Sequence, residues 1–186
     1  MINPGDTLVN SATGEELTFL QTAASTNGEY VEVVCVVQPG GAVAAAHIHP
    51  KQTETFTSIE GTLSLRVGRE QMQLERGDSA VVEAGTAHKF WNDTDEPVMF
   101  HCEVRPALQF ESLIETMFGL ARDGKTNRKG MPNPVRMAMI ARAHRDVIRV
   151  AGVPAWMQDL GTLTAVPLAR LAGYRPSYQP VKPMLA

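Results

Sequence analysis

Up to about residue 105 the chain consists of short apolar runs cut apart by Gly, Asp and Pro, and that punctuation constrains its fold most. "YVEVVCVV" (30–37) is rich in β-branched residues and apolar on both faces, as a strand within a closed sheet is. In "GTLSLRV" (61–67) Leu63, Leu65 and Val67 alternate with Thr62, Ser64 and Arg66. Gly68-Arg69 then separates that run from "EQMQL", a two-residue hairpin signal with glycine first. "SAVVEAG" (79–85), "AHKFWN" (87–92) and "VMFHCEV" (98–104) continue the series. Short strands at this spacing predict a sandwich or barrel.

Pro106 marks a change of period. Residues 107–124 place Leu108, Leu113, Met117 and Leu120 near helical spacing, with Gly124 as a C-cap. After the polar loop 124–134, Pro134 starts a second helix expected over 134–151, with Val135, Met139, Ala143, Val147 and Val150 along one side. A third helical stretch follows Pro154 to about Ala172, and the proline-containing tail from Tyr174 is expected to be extended along a surface or disordered. The expected plan is a β-barrel domain over 1–105 and a helical extension over 106–186 packed on it.

Composition narrows the function classes. A net charge of −3, with no cluster of Lys and Arg, gives no reason to expect nucleic acid. The first residues lack a basic and apolar leader pattern, and no apolar run reaches membrane-spanning length. The expectation is a soluble, cytoplasmic protein with Cys35 and Cys102 as reduced, buried thiols.

The chemistry concentrates in "GAVAAAHIHPKQTETFTSIEG" (41–61). In an extended chain His47 and His49 face the same way, and a turn after Pro50 lets Glu54 face them from the next strand. Two imidazoles and a carboxylate begin a metal site. "GDSAVVEAGTAHKFWN" (77–92) offers a fourth ligand in His88, which shares a strand face with Phe90 and Asn92.

Taken together these stretches resemble the two motifs of the cupin superfamily. The first is Gly, five residues, His-x-His, four residues, Glu, six residues, Gly; it matches from Gly41 to Gly61. The second is Gly, five residues, Pro-x-Gly, two residues, His, three residues, Asn; it matches from Gly77 to Asn92, with Glu83 in place of the proline. The resemblance covers about residues 30–105 and implies a mainly β fold, a double-stranded β-helix (jelly-roll) barrel, followed here by a C-terminal α-helical extension. It implies that His47, His49, Glu54 and His88 bind one divalent transition metal: Fe, Mn, Ni, Co, Cu or Zn. A six-coordinate ion would keep two positions open for substrate or water. A homodimer is the modest expectation from the same resemblance.

Around that site, Phe56 and Phe90 either wall an apolar substrate pocket or fill the core. His101 is a further pocket residue or an ordinary histidine of the last strand. Arg66 is expected outside the barrel, and His144 packs on its helix. Three functions follow: an oxygenase similar to the quercetin-dioxygenase-like cupins, with Glu54 as ligand and base toward a small organic substrate; a non-redox isomerase, lyase, decarboxylase or cyclase; or a binding module without turnover. The helices either close the mouth, cover a barrel face or bury a subunit contact.

Overall fold

A computed structural model describes residues 2–178. The expected tail lies partly outside the described residues, from 179 onward. Two antiparallel sheets face each other around an apolar interior. The larger takes β1 (Thr7–Asn10), β2 (Glu15–Gln21), β3 (Val31–Val37), β5 (Thr53–Glu60), β8 (Ser79–Val82) and β10 (Val98–Arg105), in the order β1-β2-β3-β10-β5-β8. The smaller takes β4 (His47–Ile48), β6 (Leu63–Val67), β7 (Glu70–Leu74), β9 (Ala87–Trp91) and β11 (Arg149–Val150), in the order β11-β4-β9-β6-β7. This is the expected jelly roll.

Strand alternation decides what fills it. Val31, Val33, Cys35 and Val37 on β3 face Phe100, Cys102 and Val104 on β10, all buried. Leu63 and Leu65 are fully buried while Arg66 is exposed, as the alternation in β6 requires. The expected hairpin joins β6 to β7, pairing Val67 with Glu70, and Gly68 takes the left-handed φ of +59° that such a turn needs. Cys35 and Cys102 are free and buried.

The motif glycines have geometric reasons. A Cβ on Gly41 would lie 2.8 Å from the Gln38 carbonyl oxygen and 2.9 Å from that of Thr13, so only glycine fits. Gly40 N donates to Asn92 O (3.0 Å) and Asn92 N to Gly41 O (2.9 Å), which clamps the start of one motif to the end of the other. The Asn92 side chain donates to Val37 O and Glu96 O, and this motif asparagine holds a turn together. Where the second motif lacks its proline, the Thr86 N–H bonds to Glu83 O (3.0 Å), and Gly85 takes a φ of +83°. Hydrogen bonding closes that turn without the ring.

Three helices follow: α1 (Phe110–Arg122), α2 (Pro134–Ala143) and α3 (Ala155–Leu171). The Asn133 side chain caps α2 by accepting from Arg136 N (3.0 Å), with Pro134 in the first turn. The second helix is shorter than its periodicity predicts. It stops at Ala143, where the His144 ring Nδ1 bonds to Ile140 O, and residues 149–150 leave to pair with β4. His144 is packed as expected, its Nε2 lying 3.2 Å from Ser112 Oγ. On α3 a run of apolar side chains including Trp156, Leu160, Leu163 and Leu171 is exposed. Among the described residues no helix is long and apolar enough to cross a membrane.

Candidate metal centre

Strand pairing assembles the four motif residues. His47 on β4 stands directly across from His88 on β9. Glu54, near the start of β5, approaches them from the other sheet, and His49 lies in the turn between β4 and β5. One ligand atom from each of His47, His49, Glu54 and His88 lies within 4.8 Å of the others, and all four residues are buried. Ring centroids of His47 and His88 are 4.3 Å apart.

The imidazoles are oriented by their backs. His47 Nδ1 sits 3.0 Å from Ala45 O, His88 Nδ1 3.1 Å from Thr86 O, and His49 Nδ1 2.5 Å from Val147 O. A carbonyl oxygen can only accept, so each Nδ1 carries the hydrogen and each neutral ring leaves Nε2 with a bare lone pair. His88 Nε2 and Glu54 Oε2 approach to 2.6 Å, yet their alignment makes no hydrogen bond and both are buried without a hydrogen-bond partner. His49 Nε2 is 3.4 Å from Glu54 Oε1. With the rings neutral, lone pairs converge on a carboxylate, and that arrangement calls for a cation. These residues fit a divalent metal ion.

A proton is the other cation the cluster can take. Burial, aided by His49 and His88, pushes the His47 imidazole down to about 3, so it is neutral. Burial alone would raise Glu54, but the surrounding imidazoles hold its carboxyl down at about 2, so it is ionised. Burial also lowers His88, and Glu54 beside it more than reverses that, giving a net rise. A proton and a metal would therefore compete for His88.

An apolar cavity of about 150 Å³ opens onto His47, His49 and Glu54, while His88 is not among its lining residues. Phe56 and Phe90 both line it, with ring centroids 6.1 Å apart. So do Phe110 and Met117 of α1 and Met137 of α2, which makes the helical segment part of the wall. His101 is not there, which corrects its placement as a pocket residue. Its inward neighbours on β10 are Phe100 and Cys102, and its Nε2 instead meets Glu32 Oε1 at 2.6 Å on the outer face.

Sequence reasoning missed three contributors. Gln52 is buried, with Oε1 3.2 Å from His49 Nδ1 and Nε2 donating to Pro106 O and Ala107 O. It ties the metal-capable cluster to the start of the helical segment. Asn10 and Glu15 line the same cavity from β1 and β2. The one available signal was the phase of "EELTFLQ", which puts Glu15 in register with Leu17 and Phe19.

A jelly roll with a buried, metal-capable His/His/Glu/His cluster in its cavity defines a class of protein, and comparison with known proteins places the chain within it. Residues 33–104 match the cupin domain, which supports a place for the chain in the cupin superfamily. It is 30% identical over 146 residues to a probable oxidoreductase, virH, of Hypocrea virens, covering 71% of this chain and 64% of the relative. It is 33% identical over 114 residues to quercetin 2,3-dioxygenase of Bacillus subtilis, covering 61% of this chain and 32% of that protein. The chain thus spans less than two thirds of the length of either relative. Among solved structures, a protein with a double-stranded β-helix domain from Klebsiella pneumoniae subsp. pneumoniae MGH 78578 aligns at 25% identity and a TM-score of 0.44, covering 58% of this chain and 84% of that one.

Proposed function

We propose that this cupin is a metal-dependent oxygenase acting on a small, largely apolar organic molecule. The observation that carries the reading is the convergence of bare Nε2 lone pairs and an ionised carboxylate at the wall of an apolar cavity. Relatives named oxidoreductase and quercetin 2,3-dioxygenase support the redox form of it.

His47, His49, His88 and Glu54 would hold the ion, which when redox-active supplies electron exchange between an anionic substrate and O₂. The chain's own part is positional. Three backbone carbonyls fix the imidazole tautomers, so the cluster needs little rearrangement. Glu54, held ionised, is the acceptor within reach for the proton of a substrate hydroxyl. Phe56, Phe90 and Phe110 line the cavity and offer a face to an apolar substrate.

The test is elemental analysis by mass spectrometry on untagged protein never exposed to a chelating column, followed by oxygen uptake with phenols and enolisable ketones. Stoichiometric iron, manganese, nickel, cobalt or copper with substrate-dependent oxygen uptake is the expected result. Bound zinc and no oxygen uptake would replace the oxygenase by Lewis-acid isomerase, lyase, decarboxylase or cyclase chemistry at the same residues. No metal after incubation with each ion would leave a binding module.

A further inference from the structure

The cavity has a second polar end. On β2, Glu15, Leu17 and Phe19 all point inward, and Glu15 is only 5% exposed. Across β1 and β2 its direct partner is Asn10, also buried. Register places this pair far from the metal-capable cluster. Glu15 stands opposite Val37, whose partner on β10 is Val98, whereas Glu54 stands opposite Val104 at the other end of β10. The two carboxyls are thus roughly 20 Å apart along the strand direction of one sheet. Between them the cavity wall is Leu17, Val33, Cys35, Phe100 and Cys102.

Neither side chain has all its polar atoms paired within the described residues. Glu15 Oε2 accepts from Thr13 Oγ1 (2.5 Å), but its Oε1 has no hydrogen-bond partner among the described residues. Asn10 Oδ1 accepts from Ala12 N (3.1 Å), while its Nδ2 donors have no partner among the described residues. A buried carboxyl in an apolar wall is unfavourable unless something pairs with it. The cavity is where that something would come from.

We propose that Asn10 and Glu15 form a hydroxyl-binding subsite at the end of the cavity remote from His47, His49, Glu54 and His88. The chemistry selects the group: Asn10 Nδ2 can only donate, the free Glu15 oxygen accepts, and a hydroxyl can accept from the first while donating to the second. Burial lifts the Glu15 carboxyl to about 7, against the lowering effect of Thr13, so it is present in both forms near neutrality. A hydroxyl rotates to suit either form. Resting on the oxygenase reading for its other end, the substrate class becomes a narrow, mainly apolar molecule. It carries its metal-directed oxygen at one end and a hydroxyl at the other.

The subsite is tested on the full chain as purified with two probes that differ by one group, 4-ethylphenol and 4-ethyltoluene. Calorimetry should find the phenol bound roughly tenfold tighter, with shifts of the Asn10 side-chain amide in NMR spectra that the toluene does not produce. Glu15→Leu and Asn10→Leu should each reduce that preference to about twofold or less, while His101→Ala, on the outer face against Glu32, leaves it intact. A preference that survives both leucine variants, or one that disappears in His101→Ala, overturns the proposal. So does failure of the wild-type chain to bind either probe. If a leucine variant does not fold, the amide shifts in the wild-type chain decide. Metal content measured on the same protein separates the two readings, because a chain without metal could still show the hydroxyl preference.

Discussion

His49 Nδ1 donates to the backbone carbonyl of Val147 at 2.5 Å, joining positions 98 residues apart. One histidine of the metal-capable cluster is therefore oriented by the segment that follows α2. The helical extension completes the cavity and fixes a tautomer. That answers in part whether it covers the mouth, since α1 and α2 both contribute to the wall.

Gln52 shares this duty. Its replacement by leucine removes an acceptor 3.2 Å from His49 Nδ1 and leaves the carbonyls of Pro106 and Ala107 without its two N–H bonds. In Gln52→Leu, metal affinity should fall roughly tenfold, measured by competition with a chromophoric chelator. Stability should fall by about 1–3 kcal/mol in urea denaturation. Unchanged affinity would mean that Val147 alone sets the ring.

His88→Ala and Glu54→Gln dissect the cluster. His88→Ala removes an Nε2 that is buried with no hydrogen-bond partner, so it should lose nearly all bound metal by mass spectrometry. Glu54→Gln keeps the shape but removes the charge that balances the ion, and should retain less metal than wild type. His101→Ala, on the outer face against Glu32, should keep full metal content. Metal loss in His101→Ala matching that in His88→Ala would contradict the geometry.

Gly41→Ala tests the junction of the two motifs. Its Cβ would meet backbone oxygens at 2.8 and 2.9 Å, and these are held in the sheet by the Gly40, Gly41 and Asn92 bonds. Overpacking against backbone that cannot yield should destabilise the chain by about 1–3 kcal/mol. Thermal unfolding of the two proteins in parallel measures it, and equal midpoints would refute the argument.

The parts legible in the sequence are those where a local pattern has one solution. His47, His49 and His88 were readable because strand alternation forces their common face, and Gly41, Gly61 and Gly85 because their spacing marks the turns between them. Leu63, Leu65 and Arg66 sorted correctly by the same rule. The errors arose where long-range contacts outweigh local preference. Val147 and Val150 fit a helical stripe, but pairing of β11 with β4 draws residues 149–150 into the sheet, and the helix ends at Ala143. Gln52 looks like a turn residue until the chain returns through Pro106 beside it. Glu15 was legible only through the phase of "EELTFLQ", which sets it on the face of Leu17 and Phe19 against the general preference of a carboxylate for the surface.

Glu15 also makes a prediction about stability. Its carboxyl is held at about 7 in the folded chain, against 4.5 as the ordinary value that applies on unfolding. A folded pKa raised in this way contributes stability that is fully present below the unfolded value and is lost as pH rises through the folded one. Below about pH 4.5 the group is neutral in both states and imposes no penalty. Between about 4.5 and 7 the unfolded chain releases its proton while the folded chain retains it, so unfolding becomes easier as pH rises. Above about 7 both states are ionised and the loss levels off, on the order of 3 kcal/mol. Glutamine keeps the shape and cannot ionise, so Glu15→Gln should lack this slope. In urea denaturation its stability relative to wild type should climb from about pH 4.5 to about pH 7 and then flatten. Parallel profiles for the two proteins would mean that Glu15 titrates as an ordinary carboxyl, with the cavity wall open to water around it.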